Sequence, residues 1–136
     1  MALLSANIAI CETVIWETNN VPTLVRVLTI LALGPGTTFA RFSAVTGLNS
    51  QPGDYDQHTL QVMITDRAGN RIDDAKPYNF VYGYKIDPAG PGGFILTTAF
   101  NLNISQMQLP LHCLVSAFLD NQTEAVARVP LMLRRG

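Results

Sequence analysis

The sequence predicts an all-β domain, an antiparallel β-sandwich of about eight strands, and three observations carry that prediction. Apolar and polar residues alternate with period two almost throughout. Helical periodicity is nearly absent, and Gly, Pro, Asn and Asp clusters break the chain at short intervals. At 136 residues the chain is one domain, 1–136, long enough to bury a core without metals or disulfides.

Each element follows from its own pattern. In "ANIAICETVIW", Ile8, Ile10, Val14 and Trp16 share a face that Glu12 interrupts, and Asn19-Asn20 then supply a hairpin turn. The run from Thr23 to Leu33 is apolar on both faces, as a central strand is. "GPG" at 34–36 ends it, and Phe39 to Leu48 forms the next strand. His58, Leu60, Val62 and Ile64 alternate with polar neighbours up to the "DRAGN" turn, after which Arg71-Ile72 begins a short return. "YNFVYGYKI" places Tyr78, Phe80, Tyr82, Tyr84 and Ile86 on one face, and "DPAGPGG" is a loop. Phe94, Leu96, Phe100, Leu102 and Ile104 then oppose Thr97, Ala99, Asn101 and Asn103. "LHCLVSAFLD" and "EAVARVPLML" flank "NQT" as a terminal hairpin, with Pro130 marking an edge or a bulge.

These segments carry a likeness. "ICETVIWETNNVPTLVRVLTIL", "HTLQVMITDRAGNRI" and "LVSAFLDNQTEAVARVPLMLR" together resemble a family of uncharacterised bacterial β-sandwich proteins, a domain of unknown function. Members begin with a short strand containing Cys or Ala and an acidic residue, followed by a "tLvRV" strand. They continue with His-x-Leu-x-Val and an Asp-x-x-Gly turn, and close with a hairpin ending in "vPL". The likeness runs from about Ile8 to Arg134; the tyrosine-rich strand and the "GPGG" loop depart from the pattern. It implies the sandwich fold and brings no activity with it.

Composition narrows the function classes. Hydrophobic residues make up 48% and charged residues 14%, against about 25% charged in ordinary soluble domains. The formal net charge is −1 and the arginines are scattered, so a nucleic-acid partner is not expected. "MALLSANIAIC" lacks the basic start of an export signal, and "TLVRVLTILALG" is too short to span a bilayer, so the expectation is a cytoplasmic protein with no membrane partner. No charge falls between Asp87 and Asp120, which reads as a pair of central strands ahead of an interface.

Asp54, Asp56 and His58 sit two apart and would face one way in an extended chain, as metal ligands do, with Asp73 or Asp74 as a fourth. Turn chemistry in "PGDYDQ" explains the same residues, with His58 entering a strand, so no metal or other cofactor is expected. No Gly-x-Ser-x-Gly elbow is present, and the neighbours His112 and Cys113 point to opposite faces of a strand, so no catalytic residue is assigned. Cys11 and Cys113 read as buried free thiols; a disulfide between them requires adjoining strands. The aromatic run Tyr78–Tyr84 reads as core ahead of a carbohydrate platform.

What remains is assembly. The uncharged face of Thr97, Ala99, Asn101 and Asn103, with Trp16 as an anchor, is the expected interface of a homo-oligomer or with a protein partner. The sequence reading is therefore a non-catalytic binding and assembly module. Its alternative is a module for carbohydrate or a divalent cation, using the Asp54–His58 loop or the Tyr78–Tyr84 strand.

Overall fold

A computed structural model describes residues 3–17, 21–85 and 92–136. Among the described residues, ten strands form two five-stranded sheets that pack face to face. They are β1 (Leu3–Trp16), β2 (Pro22–Val27), β3 (Ile30–Leu33), β4 (Phe39–Ser50), β5 (His58–Thr65), β6 (Tyr78–Phe80), β7 (Tyr84–Lys85), β8 (Gly92–Asn103), β9 (Leu111–Leu119) and β10 (Ala127–Arg135). The first sheet runs β2-β1-β4-β8-β7, and the second runs β3-β10-β9-β5-β6. The all-β sandwich expected from the alternation is the fold. The described residues contain no helix long and apolar enough to cross a membrane.

The period-two segments fill the core as their patterns require. β5 alternates buried and half-buried at every position, with His58, Leu60, Val62 and Ile64 inside. Ile8 and Ile10 of β1, Phe42, Ala44 and Leu48 of β4, and Phe100 and Leu102 of β8 meet them from the first sheet. The β9–β10 hairpin turns through Asp120 and Asn121, both at positive φ, as a tight hairpin demands. The Asn19-Asn20 turn, Ile86 and the "DPAGP" part of the loop before β8 lie outside the described residues.

Two expected strands turn out to be crossings between the sheets. The run from Thr23 to Leu33 is not one central strand. It pairs with β1 up to Val27, and Leu28 N then donates to Ile10 O (2.7 Å). One residue later, Thr29 O accepts from Met132 N, and β3 continues in the second sheet beside β10. "YNFVYGY" repeats the manoeuvre at the opposite edge, where β6 pairs with β5 and β7 pairs with β8. A crossing chain turns first one face and then the other to the core, so both its faces are apolar without its being central. This adds two strands to the expected eight. It also makes β3–β10 parallel, because a chain that runs straight on into the other sheet has no hairpin to reverse it.

Two smaller expectations are refined. β10 is internal to its sheet, but β3 covers only Met132–Arg135, so Pro130 sits where that flank is still an edge. Of the uncharged strands, β9 is central between β10 and β5. β8 is central only where β7 reaches it, at Gly92 and Gly93; beyond that, no described strand pairs with its far edge.

Candidate functional site

The chemically densest place in the molecule is the entry to β5. His58 opens that strand and is 7% exposed. Asp54, in the loop after β4, is 2% exposed and places both carboxylate oxygens 2.9 Å from His58 Nε2. On the other side, His58 Nδ1 lies 2.7 Å from Asp120 Oδ2. Each carboxylate is itself fixed. Asp54 Oδ1 accepts from Asp56 N (3.0 Å), and Asp120 Oδ1 accepts from Thr59 N (2.9 Å).

This arrangement has one consistent protonation state. Carboxylates only accept, so both ring nitrogens must donate, and His58 is an imidazolium. Burial pushes its pKa down, but the hydrogen bonds and charges of Asp54 and Asp120 outweigh that and hold it above its ordinary value. Burial likewise pushes Asp54 up, yet its bonds to His58 and Asp56 N bring it below the usual carboxylate range. An imidazole with both nitrogens committed has neither a lone pair for a metal nor a base to offer.

The sequence pairing of Asp54 with His58 is real, but its third member is wrong. The Asp56 side chain is exposed and takes no part; only its backbone N–H does. Asp73 is committed elsewhere, accepting from Ile64 N (2.8 Å) and bridging to Arg71. Among the described residues, no group of three or more acidic, His or Cys side chains is arranged to hold a metal, and of Asp54, Asp56 and His58 only Asp54 and His58 bring their side chains together. Asp120 was missed because it arrives from the β9–β10 turn, far along the chain. Its only sequence signal is its place before a hairpin turn.

The tyrosine run is mainly interior. Phe80 and Tyr82 are buried and pack around His58, with ring centroids 5.7 and 5.2 Å from the imidazole. Burial and the two nearby carboxylates push the Tyr82 hydroxyl up to about 12. Phe94 of β8 stacks on Phe80 across the gap between the sheets, at 4.1 Å and 9° between planes. Tyr78 is half-exposed but lies against Phe94 (5.9 Å). Tyr78, Phe80 and Tyr82 therefore do not share one exposed flat surface; the Tyr84 side chain lies outside the described residues.

The outer face of the first sheet carries the expected interface residues. Its rows read Asn7, Gly47, Ile95; then Ala9, Val45, Thr97; then Cys11, Ser43, Ala99. Arg41 and Asn101 follow, joined by a 3.3 Å hydrogen bond, and then Phe39 with Asn103. Ala99, Asn101 and Asn103 are exposed and Thr97 is half-buried. Gly47 keeps this face low: a Cβ there would lie 2.8 Å from Asn7 Oδ1. Pro22 and Leu24 of β2 line the same shallow depression as Asn7, Ala9 and Gly47, so the β1–β2 hairpin turns back over this face. That hairpin exposes Ile15, Trp16, Val21 and Val27.

The cysteines are free. Cys11 belongs to the first sheet and Cys113 to the second, and burial raises both thiols, Cys113 to about 11 with help from the Asp66 charge.

No family model matches the chain, and no curated protein matches it. Two solved structures contain a similar fold. One is a β-glucuronidase from glycoside hydrolase family 2, at 16% identity and TM-score 0.49, over 72% of this chain and 10% of that one. The other is a putative β-galactosidase from Bacteroides fragilis, at 14% identity and TM-score 0.50, over 95% of this chain and 17% of that one. This chain thus spans under a fifth of either protein, and at these identities the likeness shows the sandwich fold alone.

Proposed function

We propose that this β-sandwich is a non-catalytic binding and assembly module that works by associating with copies of itself. The observation that carries the reading is the outer face of the first sheet. Around Ser43, Thr97, Ala99, Asn101 and Asn103 it is small-chained, and its charges are Arg41, which Asn101 engages, and Glu12 at its border, which pairs with Arg26. Beside it, the β1–β2 hairpin leaves Trp16 and Ile15 about half exposed. Contiguous surfaces of this kind are covered by a partner more often than by water. The acid–imidazole cluster supports the non-catalytic half, because its nitrogens are spent on holding three segments together.

Sedimentation or light scattering at rising protein concentration tests the reading. The expected result is a mass above that of one 14.8 kDa chain at micromolar concentration. A single-chain mass at every concentration overturns it.

A further inference from the structure

The edges of the two sheets are not equally protected. At one side, β2 and β3 are short and joined by the crossing. At the other, the long flank of β5 is covered: β6 pairs with His58–Leu60, Asp73 accepts from Ile64 N, and Ile72 N donates to Ile64 O. β8 has no such cover. β7 pairs only with Gly92 and Gly93, and the crossing leaves beside Phe94, whose ring is held by Phe80. From Ile95 to Asn103 the far side of β8 meets no described strand.

That stretch also lacks every device that usually guards an edge. It contains no Lys, no other charge, no Pro, and no break in its register with β4. At about 3.4 Å per residue it offers roughly 30 Å of straight, unpaired backbone.

We infer that the free edge of β8 pairs antiparallel with the same edge of a second copy, joining the two first sheets into one continuous ten-stranded sheet. The inference rests on the self-association reading above and names its seam. Three features select a second copy as the occupant. A two-fold antiparallel pair keeps the inside–outside alternation only when its axis passes through a residue. The axis that uses the whole free stretch passes through Ala99, so the smallest side chain of the stretch meets itself. In this register Thr97 lies opposite Asn101 of the second copy, two uncharged polar side chains facing each other on the outer side. On the inner side, half-buried Leu96 lies opposite Leu102. Finally, a self-pair sets the strand against its own copy, so charges of one sign along it would face the same sign; this strand has none.

Ala99 is exposed and points outward, so a long charged side chain is compatible with the folded monomer. The test is a charge swap there. Ala99→Lys and Ala99→Glu each set like charges across the axis and are expected to weaken association at least tenfold. An equimolar mixture of the two is expected to restore it as a mixed species. Circular dichroism and melting of each variant confirm that the monomer still folds. If both variants associate as the parent does, this seam is wrong and self-association through another surface stands. If the mixture fails to recover where the single variants are lost, edge pairing at Ala99 is overturned. A parent that is a single chain at all concentrations overturns the seam and the proposed function together, and a parent that instead binds an extended peptide along β8 assigns the edge to a different partner.

Discussion

His58 Nδ1 sits 2.7 Å from Asp120 Oδ2 while His58 Nε2 sits 2.9 Å from Asp54, so one buried imidazolium ties the loop after β4 to the turn after β9. Two neighbours in sequence and one residue from far along the chain converge on a single proton count, and stability is therefore linked to pH at this place.

The sign follows from the two shifts. The His58 pKa is raised above 6.5, so its contribution is complete below that value and is lost as pH rises through the folded pKa. Asp54 is lowered from 3.8, so its contribution is present above that value and is lost as pH falls through its own folded pKa. The expected melting temperature is highest between the ordinary carboxylate and histidine ranges and falls as pH rises above 6.5 through the folded His58 pKa. His58→Gln, which cannot titrate, is expected to flatten that decline; a parent whose melting temperature declines no more than that of His58→Gln above pH 6.5 contradicts the imidazolium.

Neighbouring acids in this loop should differ sharply on mutation. His58→Ala leaves the Asp54 carboxylate buried and unpaired, which costs about 3–5 kcal/mol. Asp56→Ala keeps the backbone N–H that Asp54 uses and removes only an exposed side chain, so the change stays within about 0.5 kcal/mol. Chemical denaturation of both variants measures the contrast. Calcium or zinc is expected to leave the parent's melting temperature unchanged, because the donors of a metal site here are already occupied.

Much of the fold was legible because burial on one face writes itself as period two. β5 was readable residue by residue, whereas β4 runs two residues past Leu48 and β10 starts three residues after Glu124, where the turn is longer than "NQT". The crossings were not legible, since an apolar run that changes sheets has the same composition as one buried on both faces. In the Thr23–Leu33 run the break falls at Leu28-Thr29, where no Gly or Pro marks it, and Arg26 takes up the strain with φ 55. The site was half legible. Asp54 and His58 are four residues apart and local geometry joins them, whereas Asp120 comes from the turn after β9 and only tertiary packing brings it in. Trp16 was singled out for its place beside a turn, and its exposure follows from the hairpin's running past the end of β4 pairing.

The thiols should be silent in the folded protein. Cys11 is fully buried and Cys113 nearly so, and the thiolate is the reactive form. With Cys113 pushed up to about 11, little thiolate exists at neutral pH even where a reagent could enter. Titration with a thiol reagent is expected to find almost none in the native protein and both after unfolding without reductant. Finding none after unfolding would mean the two are joined.

Arg26 offers a test of the crossing itself. It lies in β2, where a β-branched residue would ordinarily be favoured, yet its backbone is left-handed at φ 55. Its side chain is mostly solvent-exposed, and its 3.5 Å pair with Glu12 is worth little in water. Conformation therefore decides the outcome of substitution. Arg26→Asn, a residue that tolerates this region, is expected to change stability by no more than about 0.5 kcal/mol. Arg26→Val must either strain or straighten the chain, and is expected to cost about 1–2 kcal/mol more than Asn. Straightening would carry β2 past Val27 and pull Leu28 from its bond to Ile10 O, so amide exchange at Leu28 should quicken in the Val variant. A Val variant as stable as the parent, with Leu28 still protected, would show that the turn out of the first sheet does not depend on Arg26.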